Sequence, residues 1–190
     1  MTPALTAKGA ATRQRIIDGT ARLVRRRGVE AVGLDDVRAE TATSKGQLFH
    51  YFPDGRADLL YAVAAHEADQ VIADQQPELD ALGPAASWLA WRDVVVRKYR
   101  EQGRECPLSA LTTQLGATDP RIRPLVAGLL DDWHERIAAG VRRHGAVPTP
   151  TETAATILAA IQGGVMLMLS TGRISFLETA LDAAIAPLTK

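Results

Sequence analysis

Residues 43–52 hold the side chains of this chain that are best suited to bind a polyanion. The segment begins with two hydroxyl side chains and a lysine, and continues with a glycine, a glutamine and a histidine. Lysine and hydroxyl groups bond phosphate oxygens, and glutamine pairs naturally with the edge of adenine in the DNA major groove. These residue types therefore indicate nucleic-acid binding.

The same segment carries the start signal of a short helix. Ser44 and Gln47 have the three-residue spacing of a capping box, in which each side chain bonds a backbone N–H of the other residue. We expect a helix of about two turns that packs Leu48, Phe49 and Phe52 inward. A short helix with polar donors and one residue without a side chain can enter a major groove and approach the DNA backbone. Its outward residues would be Lys45, Gly46, Gln47, His50 and Tyr51.

The elements around this segment predict a helix-turn-helix unit. Apolar residues three and four positions apart indicate an amphipathic helix over residues 12–27, which Gly28 ends. A second short helix fits residues 34–40. Two short helices joined by three or four residues and braced by a longer one form a helix-turn-helix. A further, longer helix then runs from Arg56 to Pro77.

The charge is unevenly distributed, although the formal net charge of the chain is zero. Residues 1–60 hold ten Lys/Arg against seven Asp/Glu, and residues 61–190 hold twelve against fifteen. A basic N-terminal part on an acidic body fits a protein in which only one end meets phosphate. Arg25, Arg26 and Arg27 fill the last turn of the first helix, where the helix dipole favours cations; phosphate contact is their alternative role.

Beyond Pro77 every segment has a helical pattern, and no stretch alternates with period two over the length of a strand. We therefore predict an all-α fold of about nine helices. Capping-box spacing recurs at Thr149 with Glu152 and at Ser175 with Glu178. The other helix starts are Pro84, Pro107 and Asp119 with Pro120, and the stops are Gly103, Gly145 and Gly172.

Composition and spacing argue against an enzyme and against a membrane protein. The histidines are scattered without the spacing of a metal site, and a Gly-rich phosphate loop is lacking, so we expect no metal and no cofactor. The single Cys106 excludes an internal disulfide and fits a reducing cytoplasm. No apolar run reads as a membrane span or a signal peptide, so we expect a cytoplasmic protein without membrane contact.

A dense set of positions within residues 10–62 matches a known family pattern. They are Thr12, Arg13, Ile16, Ile17, Gly28, Leu34, Val37, residues 43–46, Leu48, Phe49, Phe52, Leu59 and Leu60. This set resembles the TetR family of bacterial transcriptional repressors. The resemblance implies a helix-turn-helix DNA-binding domain in residues 1–55 and an effector-binding and dimerisation domain in residues 56–190. It further implies a ligand-responsive repressor that binds a palindromic operator in double-stranded DNA as a homodimer, until a small apolar or aromatic effector releases it.

Two places depart from the family pattern. Many members carry glycine in the turn where this chain has Thr41 or Ala42. The usual Phe-x-x-Lys after the recognition helix is one residue longer here, at residues 52–56, so that Arg56 would replace the phosphate-contacting lysine. This form, together with residues 106–108, resembles a branch of the family that contains drug-responsive repressors.

The resemblance also assigns roles to single residues in each half of the chain. Lys8 and Arg13 could touch the flanking DNA backbone. For the effector candidates, ordinary core packing is the alternative to a cavity that holds a ligand. The DNA-contact candidates are Thr43, Ser44, Lys45, Gly46, Gln47, His50, Tyr51 and Arg56. The effector candidates are Trp88, Trp91, Tyr99, Trp133, Gln162 and Met166.

The last two helices are apolar over more of their circumference than one buried face requires. Such helices are either central in their own domain or shared with another chain, and the resemblance implies that they pair with their mates as a four-helix bundle. The interface candidates are Ile161, Val165, Met168, Leu177, Leu181 and Ile185. The alternative to the whole scheme is a helical protein-interaction module that does not bind DNA.

Overall fold

The computed structural model describes residues 6–103, 119–145 and 147–190. Within these ranges the chain forms α-helices and short 3₁₀ turns and no strand, which confirms the all-α prediction. The helix predicted to start at Pro107 lies outside the described residues, as does Cys106. The helices are α1 (Ala7–Arg27), α2 (Leu34–Thr41), α3 (Lys45–Tyr51), α4 (Arg56–Ala73), α5 (Ala85–Gln102), α6 (Ile122–His144), α7 (Pro150–Thr171) and α8 (Ser175–Ile185).

The chain divides into two compact units. The first comprises the described parts of Met1–Gln70 and Pro107–Val126, and the second those of Val71–Cys106 and Ala127–Lys190. The two boundaries within the described residues fall inside helices, since α4 and α6 each contribute residues to both units. The functional division predicted at residue 55 stays a prediction.

Close approach of α1 and α2 organises the first unit. A Cβ placed on Gly19 would lie 2.4 Å from Cγ2 of Thr41, so only a glycine fits there. Nearby, Nε of Arg15 donates to the carbonyl oxygen of Thr41 at 3.2 Å. The apolar side of α1 is buried along its length, as the spacing predicted, and its buried residues include Ile16, Ile17, Ala21, Leu23 and Val24.

The three arginines at the end of α1 are paired within the first unit. Arg25 contacts the buried Glu67 at 2.6 Å, and Arg27 contacts Asp36 at 3.0 Å. Arg26 lies 3.5 Å from Glu40. These cations therefore stabilise the unit itself, in keeping with the structural role that the sequence favoured for them.

The second unit is built around tryptophans and the pairing of α7 with α8. Trp88, Trp91 and Trp133 are completely buried. A Cβ on Gly164 of α7 would lie 2.7 Å from the Cα of Leu177 of α8, so glycine permits close packing of these two helices.

The residues predicted to contact a second subunit lie instead inside this unit. The same apolar periodicity that suggested an interface serves the packing of α7 and α8 within one chain, so the predicted set is wrong as an exposed surface. All six are buried in the single chain: Ile161, Val165, Met168, Leu177, Leu181 and Ile185.

The two predicted capping boxes of the second unit do not form. Thr149 precedes α7, but its side chain makes no capping hydrogen bond. The residue that caps α8 is Ile174 in helical conformation, and its carbonyl accepts from the N–H of Leu177 at 3.0 Å. Ser175 is therefore already inside the helix. The prediction of Pro150 in the first turn of α7 is confirmed.

Candidate DNA-binding face and effector-binding helices

Helix α3 begins as the capping box predicts. Oγ of Ser44 accepts a hydrogen bond from the N–H of Gln47 at 3.2 Å, and the N–H of Ser44 donates to Oε1 of Gln47 at 3.1 Å. Leu48 and Phe52 are buried beneath the helix. The reciprocal cap and these two anchors fix which side of α3 faces solvent.

The exposed side of α3 presents a cation, an amide and an imidazole. Lys45, Gln47 and His50 are all exposed, and Lys45 has no ion-pair partner within the described residues. Gln47 uses only Oε1 in the cap, which leaves its NH₂ group available as a donor. The ring of His50 stands edge-on to Tyr51, with centroids 4.9 Å apart. This face can neutralise one phosphate and bond base edges.

Gly46 leaves this face bare. A Cβ at Gly46 would meet nothing within 4 Å, so neither packing nor backbone conformation in this chain requires a glycine at this position. A glycine at this position would instead allow another molecule to approach the backbone of α3 closely.

Two side chains predicted to contact phosphate point inward, so that prediction is wrong for both. Thr43 is buried, and its hydroxyl is within 2.8 Å of Oγ1 of Thr41. Arg56 reaches back to the backbone, donating from Nη2 to the carbonyl of Val29 at 2.6 Å and from Nε to that of Val32 at 3.3 Å. Both side chains hold the unit together, because the Thr43 hydroxyl and the Nε and Nη2 groups of Arg56 are already bonded.

Phe49, predicted to pack inward, is 40% exposed. One edge of its ring covers Gly55, where a Cβ would lie 3.3 Å from Cε1 of Phe49 and where φ is +63°. Gly55 is thus required both by the left-handed backbone of the turn and by the ring above it.

The turn between α2 and α3 places a residue other than glycine in a left-handed backbone conformation. Ala42 has φ 47° and ψ 46°, in the left-handed region, and its N–H donates to the carbonyl of Arg38. An L-residue pays about 1–2 kcal/mol for this conformation. The family glycine missing from the sequence would have avoided that cost.

Asp36 is a structural residue that the sequence did not single out beyond the first turn of α2. Its Oδ2 accepts from the N–H of Gly33 at 2.9 Å, and Oδ1 accepts from Nη1 of Arg27 at 3.0 Å. The backbone bond from Gly33, and then the Arg27 guanidinium, lower the pKa of Asp36 below its ordinary value.

Three of the effector candidates are packed and hydrogen-bonded as core residues. Nε1 of Trp88 donates to the carbonyl of Gly83 at 3.2 Å, and Nε1 of Trp91 donates to Oε1 of Gln75 at 2.9 Å. The two indoles meet edge-on at 6.0 Å. Tyr99 is also buried. For these residues the core-packing alternative describes what the structure contains.

Trp133 and Gln162 differ from the other candidates. Nε1 of Trp133 and Nε2 of Gln162 are both buried, and neither has a hydrogen-bond acceptor. Met166 differs in the opposite sense, because its side chain is 66% exposed, so its predicted place in an internal cavity is wrong.

The outer side of α7 is apolar and exposed to solvent. Met166 is joined there by Leu167, which is 47% exposed, and by small residues at four-residue spacing, Ala155, Ala159 and Gly163. We call these five residues the α7 stripe.

By length and composition alone α7 would suit a membrane span, because its mean hydropathy is 1.6. Only 33% of the window that gives this value is buried inside the protein. The sequence pattern predicted this helix but no membrane span, because Thr, Gln and Gly interrupt its apolar run. One such helix is weak evidence for a membrane, since a helix shared between two subunits has the same composition.

Within the described ranges, no group of three or more His, Cys, Asp or Glu side chains is placed to hold a metal ion.

Two family models match the chain. "Bacterial regulatory proteins, tetR family" matches residues 16–63, which include α2 and α3. "Transcriptional regulator LmrA/YxaF-like, C-terminal domain" matches residues 84–183, which run from the start of α5 into α8.

Known proteins resemble the whole chain. An uncharacterised HTH-type transcriptional regulator of Mycobacterium tuberculosis is 27% identical over 167 residues, covering 82% of each chain. A TetR transcriptional regulator from Chloroflexus aurantiacus superposes with a TM-score of 0.81 at 25% identity, covering 97% of this chain and 98% of the other. A complex of SmeT with triclosan has the same fold, with a TM-score of 0.71 at 16% identity over 93% and 90% of the chains.

Proposed function

The chain belongs to the TetR family of bacterial regulatory proteins, and from that premise we propose that it is a repressor released from its operator by a small molecule. Membership makes it a DNA-binding transcriptional regulator with a ligand-binding C-terminal domain, and not an enzyme. Regulators of this type are soluble proteins, and the cytoplasm is their proposed compartment here. The observation that carries the proposal is the bare, polar outer face of α3.

On this face we assign phosphate contacts to Lys45 and to the hydroxyl of Ser44, which has a proton left to donate after accepting from Gln47. The free amide of Gln47 and the imidazole of His50 are the proposed base contacts, with adenine the natural partner of glutamine. Tyr51 is half-buried, so its hydroxyl is a secondary candidate for phosphate. Thr43 and Arg56 support this face from inside.

We propose that two copies pair through the α7 stripe. One helix of seven residues makes too few contacts for tight and specific binding, whereas two copies can read half-sites about 34–36 Å apart in a palindromic operator. Small residues at four-residue spacing let two helices approach closely, and Met166 and Leu167 supply apolar area. The stripe takes the place of the six buried residues that the sequence suggested.

The effector is proposed to bind within the second unit and to lower DNA affinity. SmeT, a protein of the same fold, binds triclosan, which supports a small aromatic molecule as the class of effector. Because α4 and α6 each contribute residues to both units, displacement of either helix by a ligand would alter the first unit as well. Such coupling is reciprocal, so DNA would weaken effector binding to the same extent.

The direct test is binding to the duplex upstream of the protein's own gene, measured by fluorescence anisotropy across a salt series. Repressor function predicts a steep fall of affinity with salt, because phosphate contacts release counterions. A protein that shows no affinity for duplex DNA at low salt, or an affinity that salt leaves unchanged, would contradict the proposal. Transcription from that promoter in vitro then separates repression from activation.

A further inference from the structure

The two unpaired donors of the second unit are unusual for a folded interior. Four buried side-chain nitrogen or oxygen atoms among the described residues lack a partner, and two of them, Nε1 of Trp133 and Nε2 of Gln162, belong to this unit. Trp133 is completely buried. A buried donor without an acceptor destabilises a protein, and native structures hold few of them. A partner from outside the chain would remove that cost.

The buried polar groups of the second unit limit the chemistry of such a partner. Other polar groups of this unit are bonded to one another: the Trp91 indole donates to Gln75, and Nε2 of Gln75 donates to the carbonyl of Val71 at 2.7 Å. Gln75 is also the one polar or charged residue of this unit that is buried, within the described part of the chain. A charged ligand would therefore find no buried counter-ion there, and its desolvation would be uncompensated.

We infer that Trp133 and Gln162 donate hydrogen bonds to a neutral, largely apolar effector that carries carbonyl-type oxygen atoms. Both donors are neutral N–H groups, and they lie on the consecutive helices α6 and α7. This inference rests on the proposed effector function of the second unit and narrows the class of effector. A hydrocarbon of the same shape would leave both donors unpaired and bind less well.

Binding of 1-indanone and indane tests the inference, because these small bicyclic molecules differ by one carbonyl oxygen. Titrations followed by ¹⁵N–¹H correlation spectra would observe the three tryptophan indole N–H groups, with the Trp133 signal assigned from Trp133→Phe. We expect indanone to bind at least about fivefold more tightly than indane, as one added hydrogen bond implies. Its binding should move the Trp133 indole proton downfield.

Variants that remove each donor then complete the binding test. Trp133→Phe and Gln162→Leu should each reduce the advantage of indanone over indane, whereas Trp91→Phe, which removes an indole N–H already bonded to Gln75, should leave it intact. Equal binding of the two probes, failure of both to bind, or an unmoved Trp133 signal would each overturn the inference.

A measurement without any ligand provides a second test. Trp133→Phe and Trp91→Phe remove the same atoms from buried sites, but only the second breaks a hydrogen bond. We expect Trp91→Phe to lower Tm by more than Trp133→Phe does. An equal or larger loss for Trp133→Phe would mean that its indole is bonded in the free protein, for example to a bound water, and would overturn the inference.

The two proposals fail in different experiments. Absence of DNA binding by the unliganded wild-type protein would overturn the repressor function without affecting the probe comparison. Normal DNA binding together with equal affinity for indanone and indane would overturn only the assignment of Trp133 and Gln162.

Discussion

Helices α3 and α7 each have a solvent-exposed face, but the two faces have opposite chemistry. The seven residues of α3 expose Lys45, Gln47 and His50 around a bare glycine. The 22 residues of α7 expose the α7 stripe, in which Met166 and Leu167 are the largest side chains. Polar donors suit a charged, grooved partner, whereas an apolar stripe suits another helix. The contrast accords with the two macromolecular partners that we propose, operator DNA and a second copy of the chain.

A charge in the α7 stripe should have the largest effect. Met166→Glu and Leu167→Glu leave the core intact, and we expect each to yield a folded monomer whose operator affinity is about 100-fold lower or worse, because the avidity of two half-sites is lost. Sedimentation velocity and anisotropy would measure the two effects. Leu89→Glu on α5, also at an exposed apolar residue, is the control and should stay dimeric. A dimeric Met166→Glu and Leu167→Glu would mean that another surface pairs the subunits.

Removing the lysine of α3 should have the next largest effect. Lys45→Ala should lower affinity about tenfold for every duplex alike and reduce the dependence of log affinity on log salt by about one. Lys190→Ala removes an exposed lysine outside α3 and should change neither quantity. A Lys45→Ala variant with the wild-type salt dependence would exclude its phosphate contact.

Two glycines near the same helix should respond in opposite ways to alanine. Gly46→Ala should raise the free energy of unfolding by about 1 kcal/mol, since alanine favours a helix and the Cβ has open space. The same change should lower operator affinity several-fold if DNA approaches that spot. Gly55→Ala should instead lower the free energy of unfolding by about 1 kcal/mol or more, because φ is +63° and Phe49 lies above it. Denaturant titrations measure the free energy of unfolding of both variants. Unchanged operator affinity in Gly46→Ala would mean that DNA does not approach α3 at Gly46.

The smallest expected effect concerns pH and the α2 cap. The folded state lowers the pKa of Asp36, so its carboxylate stabilises the fold above the unfolded pKa of about 3.9 and loses this contribution as pH falls through the folded pKa. Asp36→Asn should therefore lower Tm at pH 7 and approach the wild-type Tm below about pH 4. Asp35→Asn, at a carboxylate that does not bond Gly33, is the control. A Tm difference for Asp36→Asn that persists unchanged to low pH would exclude the ionised cap.

The N-terminal elements could be predicted from sequence because their signals are local. Ser44 and Gln47 form the predicted cap since Ser44 enters α3 with extended backbone, φ −72° and ψ 158°. The same spacing failed at Ser175 because Ile174 enters α8 in helical conformation, with φ −61° and ψ −25°. The backbone angles that precede a helix depend on how the chain arrives there, which spacing alone does not determine.

Side-chain direction was harder to predict than residue type. Thr43 and Arg56 have the chemistry of phosphate ligands, yet their polar groups form hydrogen bonds with hydroxyl and carbonyl groups inside the unit. Helix α7 is apolar on two sides, so its apolar pattern suggested an interface without distinguishing the side that packs on α8 from the side that faces outward. Resolving that choice required the position of Leu177 against Gly164.

The pairing of the arginines at the end of α1 also limits how the protein can search a chromosome. Their charges are largely cancelled by Glu67, Glu40 and Asp36. With these three arginines paired, we expect fewer counterions to be displaced from DNA of arbitrary sequence, and a shorter residence there. Discrimination among sites would then depend on the groups that we propose to touch bases, and the protein would leave a wrong site quickly.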